Sequence, residues 1–225
     1  MAILTWDAAA ERIYETGVSK GVLYPTLSSG KFTGGVAWNG LTAVNENPSG
    51  AEPTDLWADN MKYLSIRSAE EFGFTIEAYT YPDEFAECDG SKEIGTGVKI
   101  GQQTRKSFGF CYQTIKGNDE QDNDYGYLIH IVYNCTCSPS AKNYSTVNDS
   151  PEAITFSWEV ETTPQTITTK DSNNKPYKPS ATVTIDSTAV NATKLATIEG
   201  KLYGTASAEP ELPTIDELIT ILSAT

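Results

Sequence analysis

The chain has 225 residues, enough to bury one substantial core, and its 30 acidic against 16 basic side chains leave a formal charge of −14. That balance argues against a nucleic-acid-binding surface, because such affinity comes from Lys and Arg neutralising phosphates and no basic cluster is longer than Arg105-Lys106. No apolar run approaches the roughly 20 residues of a membrane helix, and the opening "MAILTWDAAAER" lacks the order of a signal peptide, so a soluble protein kept in the cytosol is expected.

In chain order, "TWDAAAERIYE" can form a brief helix or an arm, and residues 1–32 are taken as an N-terminal arm. "SSGKFTGG" holds a Gly-Lys dipeptide but lacks the first Gly, the preceding strand and the following Ser or Thr of a phosphate loop. "VAWNGLTAV" then leads into "NENPSGAEPTDLWADN", residues 45–60, with two prolines, one glycine and an isolated Leu56-Trp57 pair. Loops above roughly 12 to 15 residues are usually functional or disordered. Two readings stay open: the loop folds back onto its own core, or it orders against a neighbour.

In "FGFTIEAYTY" the residues Phe72, Phe74, Ile76 and Ala78 share one face, opposite Thr75, Glu77, Tyr79 and Tyr81, the pattern of a half-buried strand. "YPDEFAECDG" reads as a short helix opened by Pro82, with Asp83 and Glu84 in its first turn and Gly90 as a left-handed stop. Its carboxylates Asp83, Glu84, Glu87 and Asp89 do not have calcium-loop spacing and are read as surface charge. "KSFGFCYQTI" and "YGYLIHIVYNC" are long strands joined by the polar tip 116–125. The second is apolar on both faces, so one face is expected to meet another subunit. "AITFSWEVET" and "ATVTIDST" alternate again. Helical spacing follows, with Leu195, Ile198 and Leu202 behind a possible Asn191 cap, then Ile215, Leu218, Ile219 and Leu222.

Chemistry-bearing patterns are sparse. The single histidine, His130, lies mid-strand between two isoleucines and is read as a core or interface residue. Cys88, Cys111, Cys135 and Cys137 are read as reduced, packed thiols, since no second Cys pair or His pair exists to complete a zinc site. Glu77 with Glu87, or Glu159 with Glu161, could be imagined as a glycosidase pair, but spacing in sequence cannot establish the roughly 5 to 9.5 Å that chemistry needs. No enzyme signature, cofactor motif or metal site survives.

The run "GVAWNGLTAVNENPSGAEPTDLWADNMKYLSIRSAEEFGFTIEAYTYPDEFAECDG" resembles the major tail protein, or tail tube protein, family of long flexible-tailed bacteriophages. The likeness continues through "GQQTRKSFGFCYQTIKGNDEQDNDYGYLIHIVYNC", "YSTVNDSPEAITFSWEVETTP" and "KPSATVTIDS" to "LYGT", covering about residues 10 to 205. It implies a mainly β, antiparallel sandwich or barrel-like domain over 33–190 with one flanking short helix, followed by a helical C-terminal extension over 191–225. It also implies a structural subunit, not an enzyme, that closes into hexameric rings and stacks into the tail tube conducting DNA during ejection. Its partners would be other copies of itself, the tail tip or baseplate, the tape measure and the tail terminator, with DNA passing unbound. Made in the host bacterial cytoplasm, it would reside in the virion tail.

On that reading Leu56 and Trp57 belong to an assembly loop, and Tyr127, Ile129, Ile131 and Tyr133 to a subunit interface. Residues 46–93 hold 12 acidic against 3 basic side chains, and part of this block, Glu77 included, would line the lumen and repel DNA. The competing class is a carbohydrate-binding or adhesive β-sandwich using Tyr79, Tyr81 and Tyr112 as sugar platforms.

Overall fold

The computed structural model describes residues 3–26, 30–147, 149 and 152–224; Ser28 and Ser29 of the Gly-Lys segment lie outside these. Alternating apolar residues form a mainly β chain. The strands are β1 Tyr14–Pro25, β2 Val36–Trp38, β3 Leu41–Glu46, β4 Ser49–Gly50, β5 Pro53–Ala58, β6 Met61–Arg67 and β7 Glu70–Glu71. After them come β8 Gly73–Ala78, β9 Lys92–Gly95, β10 Val98–Ile100, β11 Phe108–Asn118, β12 Asp122–Cys137, β13 Phe156–Thr162 and β14 Thr182–Asp186. A 3-10 turn, Asp83–Glu87, follows β8, and the helices α1 Ala192–Tyr203 and α2 Ile215–Ser223 close the chain.

One antiparallel sheet runs in the order β2-β1-β11-β12-β13-β8-β3, with β14 also paired to β12. Its spine is β12, which pairs β11 on one side and, on the other, first β14 and then β13. The end strands β2 and β3 are consecutive in the chain, joined by Asn39 and Gly40, and Gly40 takes the left-handed φ of 74° that this tight link requires. That link ties the two ends of the sheet together and curls it, so side chains from distant strands meet inside. Trp38 of β2 lies 5.6 Å from Trp158 of β13, and Phe74 of β8 stacks 5.9 Å from Phe110 of β11. The 3-10 turn plugs this interior with Phe85, 4.6 Å from Trp38 and 5.2 Å from Trp158.

A second core lies on the opposite face of the sheet. There Val22, Tyr24, Cys111, Ile129, Ile131, Tyr133 and Ile185 pack against Leu195, Ile198 and Leu202 of α1 and Ile215 and Leu218 of α2. Sheet tyrosines fasten the helices: Tyr24 donates to the Leu202 carbonyl at 2.7 Å, Tyr127 to Glu199 at 2.7 Å and Tyr133 to the Pro213 carbonyl at 2.9 Å. Asn191 caps α1 by accepting from the Thr193 amide, and Thr214 with Glu217 forms a reciprocal capping box on α2.

Three expectations are corrected here. Ile129, Ile131 and Tyr133 are fully buried beneath the chain's own helices and so cannot form a subunit interface, whereas Tyr127 is partly buried and bonds to Glu199 of α1. The helical segment expected over 191–225 is present as α1 and α2, and these pack on the sheet as a second layer rather than standing off it. Residues 1–32 are not an arm throughout, because β1 lies between β2 and β11 with Val22, Leu23 and Tyr24 buried; of the stretch before it, residues 3–13 form no helix and are mostly exposed, with a turn at Ala8–Glu11. The alternation in β8 and β13 and the helical spacing in α1 and α2 fall where the sequence pattern places them; the β11–β12 hairpin is also present, but its turn is only residues 119–121, the rest of 116–125 being paired strand.

Asp216, in the first turn of α2, accepts from the amides and hydroxyls of both Thr168 and Thr169, at 2.6 to 3.2 Å. These bonds, Thr169 first, hold its carboxyl well below the usual carboxylate range. A depressed folded pKa contributes stability above the unfolded value of about 3.9 and loses it as pH falls through the folded value. Asp216→Asn should therefore lower the melting temperature by a constant amount from neutral pH down to about pH 5, with the difference shrinking below about pH 4. Thermal melts of both proteins across that range check it.

Candidate functional site

The segment expected as a loop is half of an ordered β-arm. Leu41↔Ala78 and Glu46↔Phe74 pair within the main sheet, and the ladder then continues outward through the Asn47 amide on the Gly73 carbonyl at 2.8 Å. Ser49↔Glu71 and Gly50↔Glu70 prolong it, and Pro53↔Arg67 to Ala58↔Met61 complete it. Residues 41–78 are thus one hairpin whose tip, Asp59-Asn60, has φ of 51° and 61°, as a two-residue hairpin turn with both centres left-handed demands. Pro53 is accommodated at the first position of a strand with a free edge.

All residues from Glu52 to Glu71 are exposed. At about 3.3 Å per residue, the outer strands can reach about 30 Å from the sheet. Paired residues share a face, so Thr54 with Ile66, Leu56 with Leu64 and Ala58 with Met61 build an apolar side. Asp55 with Ser65 and Trp57 with Lys62 build the other, where Lys62 approaches Asp55 to 2.7 Å. An extra residue, Tyr63, bulges at this point. Leu56 is 43% exposed and Trp57 69%, so neither reaches the chain's own core and the loop-onto-core reading is excluded.

Smaller projections carry further apolar surface. Ile3, Leu4 and Trp6 are exposed in the N-terminal stretch, which is tethered by the Asn118 side chain to the Ala10 carbonyl. The β9–β10 hairpin exposes Ile94, Val98 and Ile100, and Lys99 within it bonds Asp83 at 2.7 Å.

The other sequence candidates lie apart from the arm. Glu77 sits half-buried on the polar face of β8, between Ala43 and Ser157, and accepts from Asn45 at 3.3 Å. Of the carboxylates after β8, Asp83, Glu84 and Glu87 are exposed, as surface charge should be; Glu87 meets Lys106 and Asp89 meets Lys142, each at 2.5 Å. The Asp89 side chain is only 8% exposed, which corrects its reading as surface. All four cysteines are free and buried, and burial pushes the thiols of Cys88, Cys111 and Cys137 up to about 12. Of the three aromatics proposed as a sugar platform only Tyr79 is exposed; Tyr81 packs against Phe156 and Trp158, and Tyr112 is buried against His130.

Among the described residues no group of three His, Cys, Asp or Glu side chains could hold a metal ion, and no helix is long and apolar enough to cross a membrane. Comparison with protein-family models and with curated proteins finds no match.

An arm that buries nothing at home should be dispensable for folding. Replacing residues 52–70 by a two-residue turn is expected to leave the far-ultraviolet spectrum of the remaining sheet and the melting temperature nearly unchanged. Single substitutions Leu56→Ala and Trp57→Ala should each fall within about 0.5 kcal/mol of wild type by denaturant unfolding.

Proposed function

We propose that the chain is a structural subunit that polymerises through its projecting arm, and that it belongs with the tail tube proteins it resembles. The observation that carries this reading is the ordered arm itself, with Leu56, Trp57, Met61, Tyr63, Leu64 and Ile66 turned to water. An isolated two-stranded hairpin is marginally stable, and large apolar side chains exposed on both of its faces mark an interaction site.

An arm is also a directional device. Its tip and the surface it covers are different parts of the molecule, so the contact between two copies is heterologous, and such contacts close into rings or continue as filaments. Both forms are combined in a tube of stacked rings. The apolar faces of β12 lend no support, since both are consumed within the chain. The acidity of residues 46–93 fits a conduit that lets DNA pass without holding it, with Glu77 as a lumen residue in this proposal.

Purified protein, alone or with a tail-initiating complex, should form six-membered rings or tubes by sedimentation and electron microscopy. The double variant Leu56→Ala/Trp57→Ala should remain a folded monomer and fail to polymerise, since buried aromatic anchors cost about 2 kcal/mol or more each when truncated. Normal polymerisation of that variant would overturn the role of the arm. A wild-type chain that stays monomeric at every concentration, initiator included, would overturn the reading as a whole.

A further inference from the structure

The base of the arm holds a polar cluster that assembly does not explain. Glu46 is the last residue of β3, immediately before Asn47, whose amide begins the outward ladder. Glu46 Oε1 accepts the Tyr112 hydroxyl at 2.7 Å and lies 4.0 Å from His130 Nδ1. The Tyr112 ring stacks on the imidazole at 4.6 Å with an interplanar angle of 8°, and His130 Nε2 is 2.9 Å from Thr114 Oγ1. One carboxylate oxygen thus stands between a tyrosine that already donates to it and an imidazole within reach.

His130 is the chain's one histidine, and imidazole is the side chain whose ordinary pKa lies between pH 5 and 8. The groups facing it are Glu46 from β3, Glu15 from β1, Tyr112 and Thr114 from β11 and Thr184 from β14. Desolvation lowers its pKa and outweighs the opposing pull of Glu46 and Glu15, so the ring is uncharged at neutral pH.

We propose that His130 is a proton-sensitive latch at the base of the arm. Uncharged, it stacks on Tyr112 and leaves Glu46 to the tyrosine hydroxyl, which fixes the end of β3 against the sheet. Protonated, the imidazolium is a charge held in a desolvated site, its Nδ1–H draws Glu46 toward itself and away from the geometry that the Tyr112 hydroxyl fixes, and the junction of β3 with β8 loosens. A depressed folded pKa makes this contribution complete above the unfolded value of about 6.5 and lost as pH falls toward and through the folded value.

The test is amide hydrogen exchange of the full chain, corrected for intrinsic rates, at about pH 7.5 and about pH 5.5. The Asn47 amide should lose protection several-fold at the lower pH, while the Leu195 amide, bonded to the Asn191 carbonyl in α1, should not change. His130→Gln should abolish the pH response. Glu46→Gln, at a partly exposed position, tests the same latch without touching the core and should reduce the response. Unchanged Asn47 protection in wild type, or a response that persists in His130→Gln, would overturn the proposal. Should His130→Gln fail to fold, the native chain decides by NMR: the Asn47 amide shift must titrate with the midpoint of the His130 ring, and a different midpoint overturns the latch.

Discussion

The constraint on which the structure depends is the two-sided burial of β12. Its Leu128-to-Cys135 stretch lies at the centre of the sheet, and side chains on both faces are withdrawn from water. A strand of that kind demands two cores. The inner one is obtained by curling the sheet until Trp38, Phe74, Phe110 and Trp158 meet; the outer one requires α1 and α2. Asn134 makes the arrangement possible. With φ at 49° and a register shift opposite Phe108 and Phe110, it adds one residue to β12, so that Tyr133 faces the helices while Cys135, two positions on, faces the interior.

From that economy follows the distribution of what remains exposed. The main sheet has no large apolar face left to offer, since the curl and the helices use both. Exposed apolar side chains are instead concentrated on elements that stand off it: the hairpin around Leu56 and Leu64, the β9–β10 hairpin and the N-terminal stretch. The partition matters for the assembly proposed above. A subunit whose core is complete can fold alone and keep its association surface on parts that contribute little to its own stability. The polar cluster of Glu46, Tyr112 and His130 sits where these two regimes meet.

Much of the sheet was legible because burial imposes a period. Phe74, Ile76 and Ala78 alternate with Thr75 and Glu77, and Leu195, Ile198 and Leu202 recur at helical spacing, so element type and buried face can be read together. Periodicity does not name the neighbour. Ile129, Ile131 and Tyr133 look the same under a subunit as under one's own helix, and only α1 and α2 in place decide it. The arm was hidden for a different reason. Pro48, Gly50 and Pro53 punctuate it like a loop, and a hairpin with no core has no buried face to impose a period; the usable signal was Asp59-Asn60 between two runs of β-forming residues. Asp89 reads as surface because its partly buried ion pair with Lys142, 53 residues away, leaves no local trace in the sequence.

The central claim is that the arm is an ordered element lacking a partner within its own chain. Hydrogen exchange of the amides around Leu56 and Leu64, followed from dilute to concentrated protein, tests it most directly. The account predicts fast exchange in the dilute monomer and strong protection as copies associate, while amides of β11 and β12 are protected throughout. Arm amides already protected in the dilute monomer, or still unprotected in an associated state, would contradict it.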